Sequence, residues 1–254
     1  MKSPVKSSPD TGLHFTRREL IEGGLLLGAI SMLTGCQPAR SQGVVSLPKD
    51  VWPDPTAPVV AKPVSAPPRE PGVTQTILTR AQWTRAKPNF RVSKPMNGIT
   101  RITVHHSALN STGILGKSEV ARMLENIRRS HVSRVDAATG AHWVDIGYHY
   151  IIDPAGRVWE GRPTHIEGAH VSKTNDHNLG VMLLGNFNEH RPTNAALATL
   201  DNFVAAQMRR HKVPASRVYT HQELKPTECP GTNLQQYMKL TRLSSGRMYQ
   251  QWKA

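Results

Sequence analysis

Residues 179–185 read LGVMLLG, an apolar stretch with no polar position along one edge of the pleat. A strand with one wet face alternates apolar and polar residues, whereas a continuous run belongs to a central strand covered on both faces. Working outward, residues 99–106, 148–152 and 157–160 also have strand character. Asp153-Pro154-Ala155-Gly156 is a turn sequence, so 148–160 is predicted to be a β-hairpin. Val120, Met123, Leu124 and Ile127 follow helical spacing, and Leu197, Leu200, Val204 and Met208 do so approximately, with Thr193 or Asn194 available as a cap. Strands interspersed with such helices predict an α/β fold, a single domain with a central mixed β-sheet flanked by amphipathic helices.

The domain occupies only part of the chain. Residues 17–35, RRELIEGGLLLGAISMLTG, place an arginine pair before a short apolar stretch followed by small residues, the layout of a secretory signal peptide. The apolar part is too short to cross a bilayer comfortably. Thr16 to Ile21 resembles a twin-arginine signal. Leu33-Thr34-Gly35-Cys36 resembles a lipoprotein processing box, which implies lipid attachment at Cys36 and a mature chain that starts there. Between Gln37 and Gln75 lie Pro38, Pro48, Pro53, Pro55, Pro58, Pro63, Pro67, Pro68 and Pro71, nearly half of the 19 prolines. Such spacing blocks helix and sheet ladders and predicts an extended tether. The expected division is therefore a signal peptide at 1–35, a Pro-rich tether at 36–75 and a catalytic domain at 76–254. The expected address is the periplasmic side of a bacterial membrane, as an exported lipoprotein. Gln37 is compatible with the outer membrane by analogy.

The 254 residues carry 32 Lys+Arg against 18 Asp+Glu, a net charge of +14. Removing residues 1–35 takes away four basic and three acidic residues, so the mature chain keeps +13. An acidic partner is implied, whether nucleic acid, an anionic lipid surface or a carboxylate-bearing polymer. Two cysteines exclude both a disulfide-built miniature fold and a four-cysteine zinc module.

Most of the 12 histidines need no special role. His105 ends the strand Arg101-Ile102-Thr103-Val104-His105-His106, where the ladder fixes side chains beside a solvent-facing loop. His221 follows the short extended piece Arg217-Val218-Tyr219-Thr220, and Cys229 comes eight residues later. Two imidazoles and a thiolate make a three-ligand zinc set with an open fourth position, a catalytic rather than a structural arrangement.

The segments ITVHHSA (102–108), VDIGYHYIIDPAGRVWEGR (144–162), GAHVSKTNDHNLGVMLLGNF (168–187) and HQELKPTECPG (221–231) together resemble the zinc-dependent N-acetylmuramoyl-L-alanine amidases of the phage-lysozyme type, the family that includes the peptidoglycan recognition proteins. ILTRAQW (77–83) is similar to the usual opening of that domain. The resemblance implies that His105, His221 and Cys229 bind zinc in a surface cleft and that Tyr148 is the catalytic tyrosine. Thr227 falls where phage members carry lysine and many recognition-type members carry threonine, which implies a supporting hydrogen bond to substrate or oxyanion. A cysteine rather than an aspartate as third ligand favours this branch over the anhydro-muropeptide amidases. The family often places a histidine at the position of His170, a candidate for the substrate groove. Trp143 resembles a position that contacts the peptide stem in some relatives, and Asn186, with Asn188, is a candidate for the cleft wall. His106 alternates away from His105 and is expected to serve the core or to support the ligands from behind, and His149 points to the face opposite Tyr148 and is not expected to be a ligand.

The implied reaction is hydrolysis of the amide between N-acetylmuramic acid and L-alanine in peptidoglycan by a monomer. Zinc lowers the pKa of a bound water to about 7 and polarises the carbonyl. A phenol at Tyr148 can position that water or donate to the oxyanion. The competing expectation is a module of the same fold that binds cell wall without cutting it. A nucleic-acid binder has no recognisable motif here, and peptidoglycan carboxylates already supply an acidic partner.

Overall fold

The computed structural model describes residues 76–136 and 140–254. The expected signal peptide, Cys36 and the tether lie outside the described residues. Six strands form one mixed sheet: β1 (Ile77–Leu78), β2 (Arg101–His106), β3 (Tyr150–Ile152), β4 (Val158–Glu160), β5 (Asn178–Leu183) and β6 (Val218–Thr220). Their order is β1-β4-β3-β5-β2-β6. Only β3 and β4 are antiparallel, joined through the Asp153–Gly156 turn; the other neighbours run parallel.

The apolar run is the centre of this sheet. β5 lies between β3 and β2, and all six of its residues are buried. Register separates its two faces. Val181 lies opposite Tyr150 and Val104, and Tyr150 packs edge-on against Phe203 of α2 (Asn194–His211) at 4.8 Å. Met182 lies opposite Ile151 and His105, and with Ile151 and Trp159 it joins the cluster that receives Val120, Leu124 and Ile127 of α1 (Lys117–Val132). Each face thus has its own helix, which is why no polar alternation appears in the sequence. Thr193 caps α2, its hydroxyl accepting from the Ala196 amide at 3.1 Å.

The strands are shorter than expected at several ends. β3 begins at Tyr150 rather than 148, although the Arg162 amide donates a hydrogen bond to the Tyr148 carbonyl and carries the hairpin pairing further. β5 begins at Asn178 and ends at Leu183, and the 217–220 piece is a strand only from Val218. Three helices close the chain: α3 (His221–Leu224), α4 (Thr232–Thr241) and α5 (Arg247–Lys253). Asp201 of α2 ties the last two in place, accepting from Tyr237 at 2.5 Å and Thr241 at 2.7 Å, with Arg247 3.7 Å away.

Candidate metal centre

The C-terminal ends of β2 and β6 lie side by side because the two strands pair in parallel, Val104 opposite Thr220. The chain therefore leaves both strands at the same edge, carrying His105 on one and His221 at the start of α3 on the other. The rings lie 4.7 Å apart between centroids. The segment after α3 folds back, with the Gln222 amide donating to the Cys229 carbonyl at 2.8 Å, and this return brings the thiol to the same place. Gly231 permits the fold-back at φ 85°; a Cβ there would come within 2.5 Å of the Phe187 backbone.

Cys229 Sγ lies 3.6 Å from His105 Nδ1 and 3.4 Å from the His106 amide, which donates to it. The ligand atoms of His105, His221 and Cys229 all lie within 4.8 Å of one another. This set fits a tetrahedral zinc ion by donor type, and it fits a cation on grounds of charge as well. Burial first, then the neighbouring histidines, holds His105 well below the usual imidazole range; burial also lowers His221. Both rings are thus neutral and free to offer lone pairs at neutral pH. Burial pushes the Cys229 thiol up to about 12, so in the absence of a nearby cation it keeps its proton.

His221 and Cys229 line an open cleft of about 380 Å³, with His105 fully buried against them, and the cleft walls include Ser107, Tyr148, Asn186, Asn188 and Thr227. Tyr148 stands beside the trio, its ring 5.2 Å from that of His105. Burial raises the phenol above its ordinary range, which keeps it a proton donor at neutral pH. Thr227 is exposed at the rim, and its hydroxyl accepts from the Cys229 amide at 3.2 Å. Asn186 Oδ1 accepts from the Asn188 amide, while Asn188 Oδ1 accepts from Thr232.

Two candidates are placed elsewhere. His170 is 7% exposed and sits behind His105, its Nδ1 3.0 Å from His105 Nε2, rather than lining the groove. Trp143 lies beyond Tyr148, 5.2 Å from the His131 ring and under the Arg134 guanidinium at 5.2 Å, and does not border the cleft. His106 is largely buried and accepts from the Phe187 amide, yet it also borders the cleft. His149 spends both nitrogens on backbone, accepting from Gly180 and facing the Ile166 carbonyl.

One supporting residue escaped the sequence reasoning. His131 of α1 is buried, accepts from the Gly147 amide at 2.9 Å, and packs 5.7 Å from the Tyr148 ring. It continues the stripe of Val120, Leu124 and Ile127 by one more turn, which was the available signal.

The chain is similar to known proteins in sequence and fold. The family model described as Amidase_2, N-acetylmuramoyl-L-alanine amidase, matches residues 95–232. Peptidoglycan-recognition protein SC2 of Drosophila melanogaster is 29% identical over 160 residues, covering 63% of this chain and 82% of that protein. The solved structure of Drosophila PGRP-LB superposes with a TM-score of 0.54 at 25% identity, over 68% of this chain and 94% of that one. The ectodomain complex of recognition proteins LCa and LCx with tracheal cytotoxin gives 0.56 at 26% identity, over 65% and 95%. The match spans more than half of the sequence and contains every residue of the cleft described above: the chain belongs to the Amidase_2, N-acetylmuramoyl-L-alanine amidase, family.

Proposed function

We propose that the protein is a zinc-dependent peptidoglycan hydrolase that cleaves the amide between N-acetylmuramic acid and the L-alanine of the stem peptide. The observation that carries this reading is the convergence of His105, His221 and Cys229 next to an open cleft, beside a protonated Tyr148. When bound, zinc supplies a Lewis acid that activates water and polarises the scissile carbonyl. The chain's own residues do the rest. His105, His221 and Cys229 hold the ion, and their anchoring on β2, α3 and the returning segment keeps the set rigid. The Tyr148 hydroxyl donates a hydrogen bond to the oxygen on which charge develops. Thr227 orients the Cys229 amide and offers its hydroxyl to the substrate at the rim. Asn186 and Asn188 provide amide groups along the opposite wall.

Peptidoglycan fragments as substrate are supported by relatives whose structures hold tracheal cytotoxin, described in one case as monomeric diaminopimelic acid-type peptidoglycan. A binding module of the same fold is the second reading. Cys229 favours catalysis, because a protein that only binds has no use for a third zinc ligand. The test is digestion of purified cell wall by the protein with product identification. New L-alanine amino termini, lost on chelation and restored by zinc, are expected; wall binding without such termini would leave the binding reading.

The address belongs to the same proposal. Cys36 carries the lipid, the chain is exported through a twin-arginine signal, and the tether lets the domain reach the wall from a membrane surface. Replacing Cys36 should move the protein from the membrane to the soluble fraction, and unchanged fractionation would refute the anchor.

A further inference from the structure

An imidazole that binds a metal through Nδ1 must carry its proton on Nε2, and an isolated ring does not enforce that choice. In this chain the surroundings enforce it. His170 Nε2 lies 3.1 Å from the Asn178 carbonyl oxygen, which can only accept, so Nε2 carries the His170 proton. The Nδ1 of a neutral His170 is then a lone pair, and it faces His105 Nε2 at 3.0 Å. His105 must donate there. Its remaining nitrogen, Nδ1, is left without a proton and is the one that faces Cys229 Sγ. A neutral imidazole has a single proton to place, so the two contacts together fix both rings.

We propose that His170 is a positioning residue: by donating to the Asn178 carbonyl and accepting from His105 Nε2, it locks His105 in the tautomer whose Nδ1 is free to bind the metal. The proposal rests on the reading of His105, His221 and Cys229 as a metal set.

The sheet is built to admit this ring. Gly180 pairs with Thr103 on the face that carries His105, and a Cβ there would come within 2.6 Å of His170 Cδ2 and 2.7 Å of Nε2. A Cβ at Gly168 would come within 2.3 Å of Cδ2. Two missing side chains thus make the slot. The acceptor is held from both sides: Asn178 Oδ1 accepts from Thr103 at 2.8 Å, and its amide donates to the Thr174 carbonyl at 2.8 Å. Asn175 Oδ1 fixes the loop by accepting from the amides of His170 and Val171. His149, the other imidazole against His170, has both nitrogens committed to backbone and offers it no competing proton.

The test is nitrogen NMR of the ¹⁵N-histidine-labelled, metal-free protein, paired with zinc titration. The Nε2–H tautomer is expected for His105 in the wild-type chain. His170→Phe fills the slot without an acceptor and should mix the His105 tautomers and weaken zinc binding by about 10- to 100-fold. His170→Asn, which keeps an acceptor near the Nδ1 position, should retain most of the affinity. An Nδ1–H tautomer in the wild type would overturn the proposal without any variant. So would a folded His170→Phe protein with unchanged tautomer and zinc affinity. Failure of the wild type to bind zinc would instead defeat the metal reading, with the NMR result still deciding the tautomer.

Discussion

Two polar clusters of the same domain are built in contrasting ways. Beneath α2, both Asp201 oxygens are met by hydroxyl donors, Tyr237 and Thr241, with Arg247 beside them. Donors and acceptors match, and nothing further is needed. At the end of β2, the atoms that converge are Nδ1 of His105, a nitrogen of His221 and the Cys229 sulfur, all of them metal-ligand types. His221 makes no hydrogen bond through its ring to any described residue, and the carboxylates and hydroxyls that would bridge such atoms are absent from the trio. A polar cluster that satisfies itself is structural; one that gathers lone pairs next to a cleft is suited to hold a cation.

The largest expected effect falls on the cluster that gathers lone pairs. Cys229→Ala should remove tight zinc binding and reduce amide cleavage to background while leaving the far-UV circular dichroism of the metal-free protein intact. Loss of folding in that variant would make Cys229 a core residue like those around Asp201, and the contrast would collapse.

Acid separates the two regions by sign. Burial lowers His131 and His149, which support the metal side, to about 4, whereas an unfolded histidine titrates near 6.5. Their stabilisation is fully present above pH 6.5. As pH falls from 6.5 toward 4 the unfolded state takes up protons that the fold refuses, and about 3 kcal/mol is lost per histidine. Asp201 runs the other way: burial raises its pKa, so its protonation at low pH favours the folded state. Urea unfolding of the metal-free protein at pH 7 and pH 4.5 should therefore show a clear loss of stability at the lower pH. The loss should shrink in His149→Gln relative to that variant's own value at pH 7.

Tyr148→Phe should lower kcat by about 10²- to 10³-fold, the usual cost of removing one donor to a developing oxyanion. Zinc content and melting temperature should hardly change, since the ring packing against His105 and His131 is kept. The other cluster should give the mirror result. Asp201→Ala strands the Tyr237 and Thr241 hydroxyls and should cost about 2–3 kcal/mol in chemical denaturation, with zinc affinity unchanged.

Much of this contrast is written in local sequence. The apolar run of β5, the hairpin turn and the stripes of α1 and α2 follow from period and turn chemistry, because one element's face is decided by its own residues. The metal trio was legible from ligand type together with the likeness of whole motifs to a known family. What was not legible depends on register. His170 reads as a loop histidine until β5 places Gly180 opposite Thr103 and opens a slot for its ring. Asp201 looks like an ordinary helix-surface acid until α4 and α5 fold over it. The same holds for Asp145, buried against Arg80 at 2.8 Å between segments 65 residues apart.

The most direct test of the central claim is cobalt substitution of the metal-free protein, since Co²⁺ takes zinc sites and reports a thiolate ligand in its absorption. One Co²⁺ per chain is expected, with a sulfur-to-cobalt charge-transfer band that disappears in Cys229→Ala and is displaced by Zn²⁺. Failure to bind, or the same spectrum with and without Cys229, would contradict the assignment of His105, His221 and Cys229 as the metal centre.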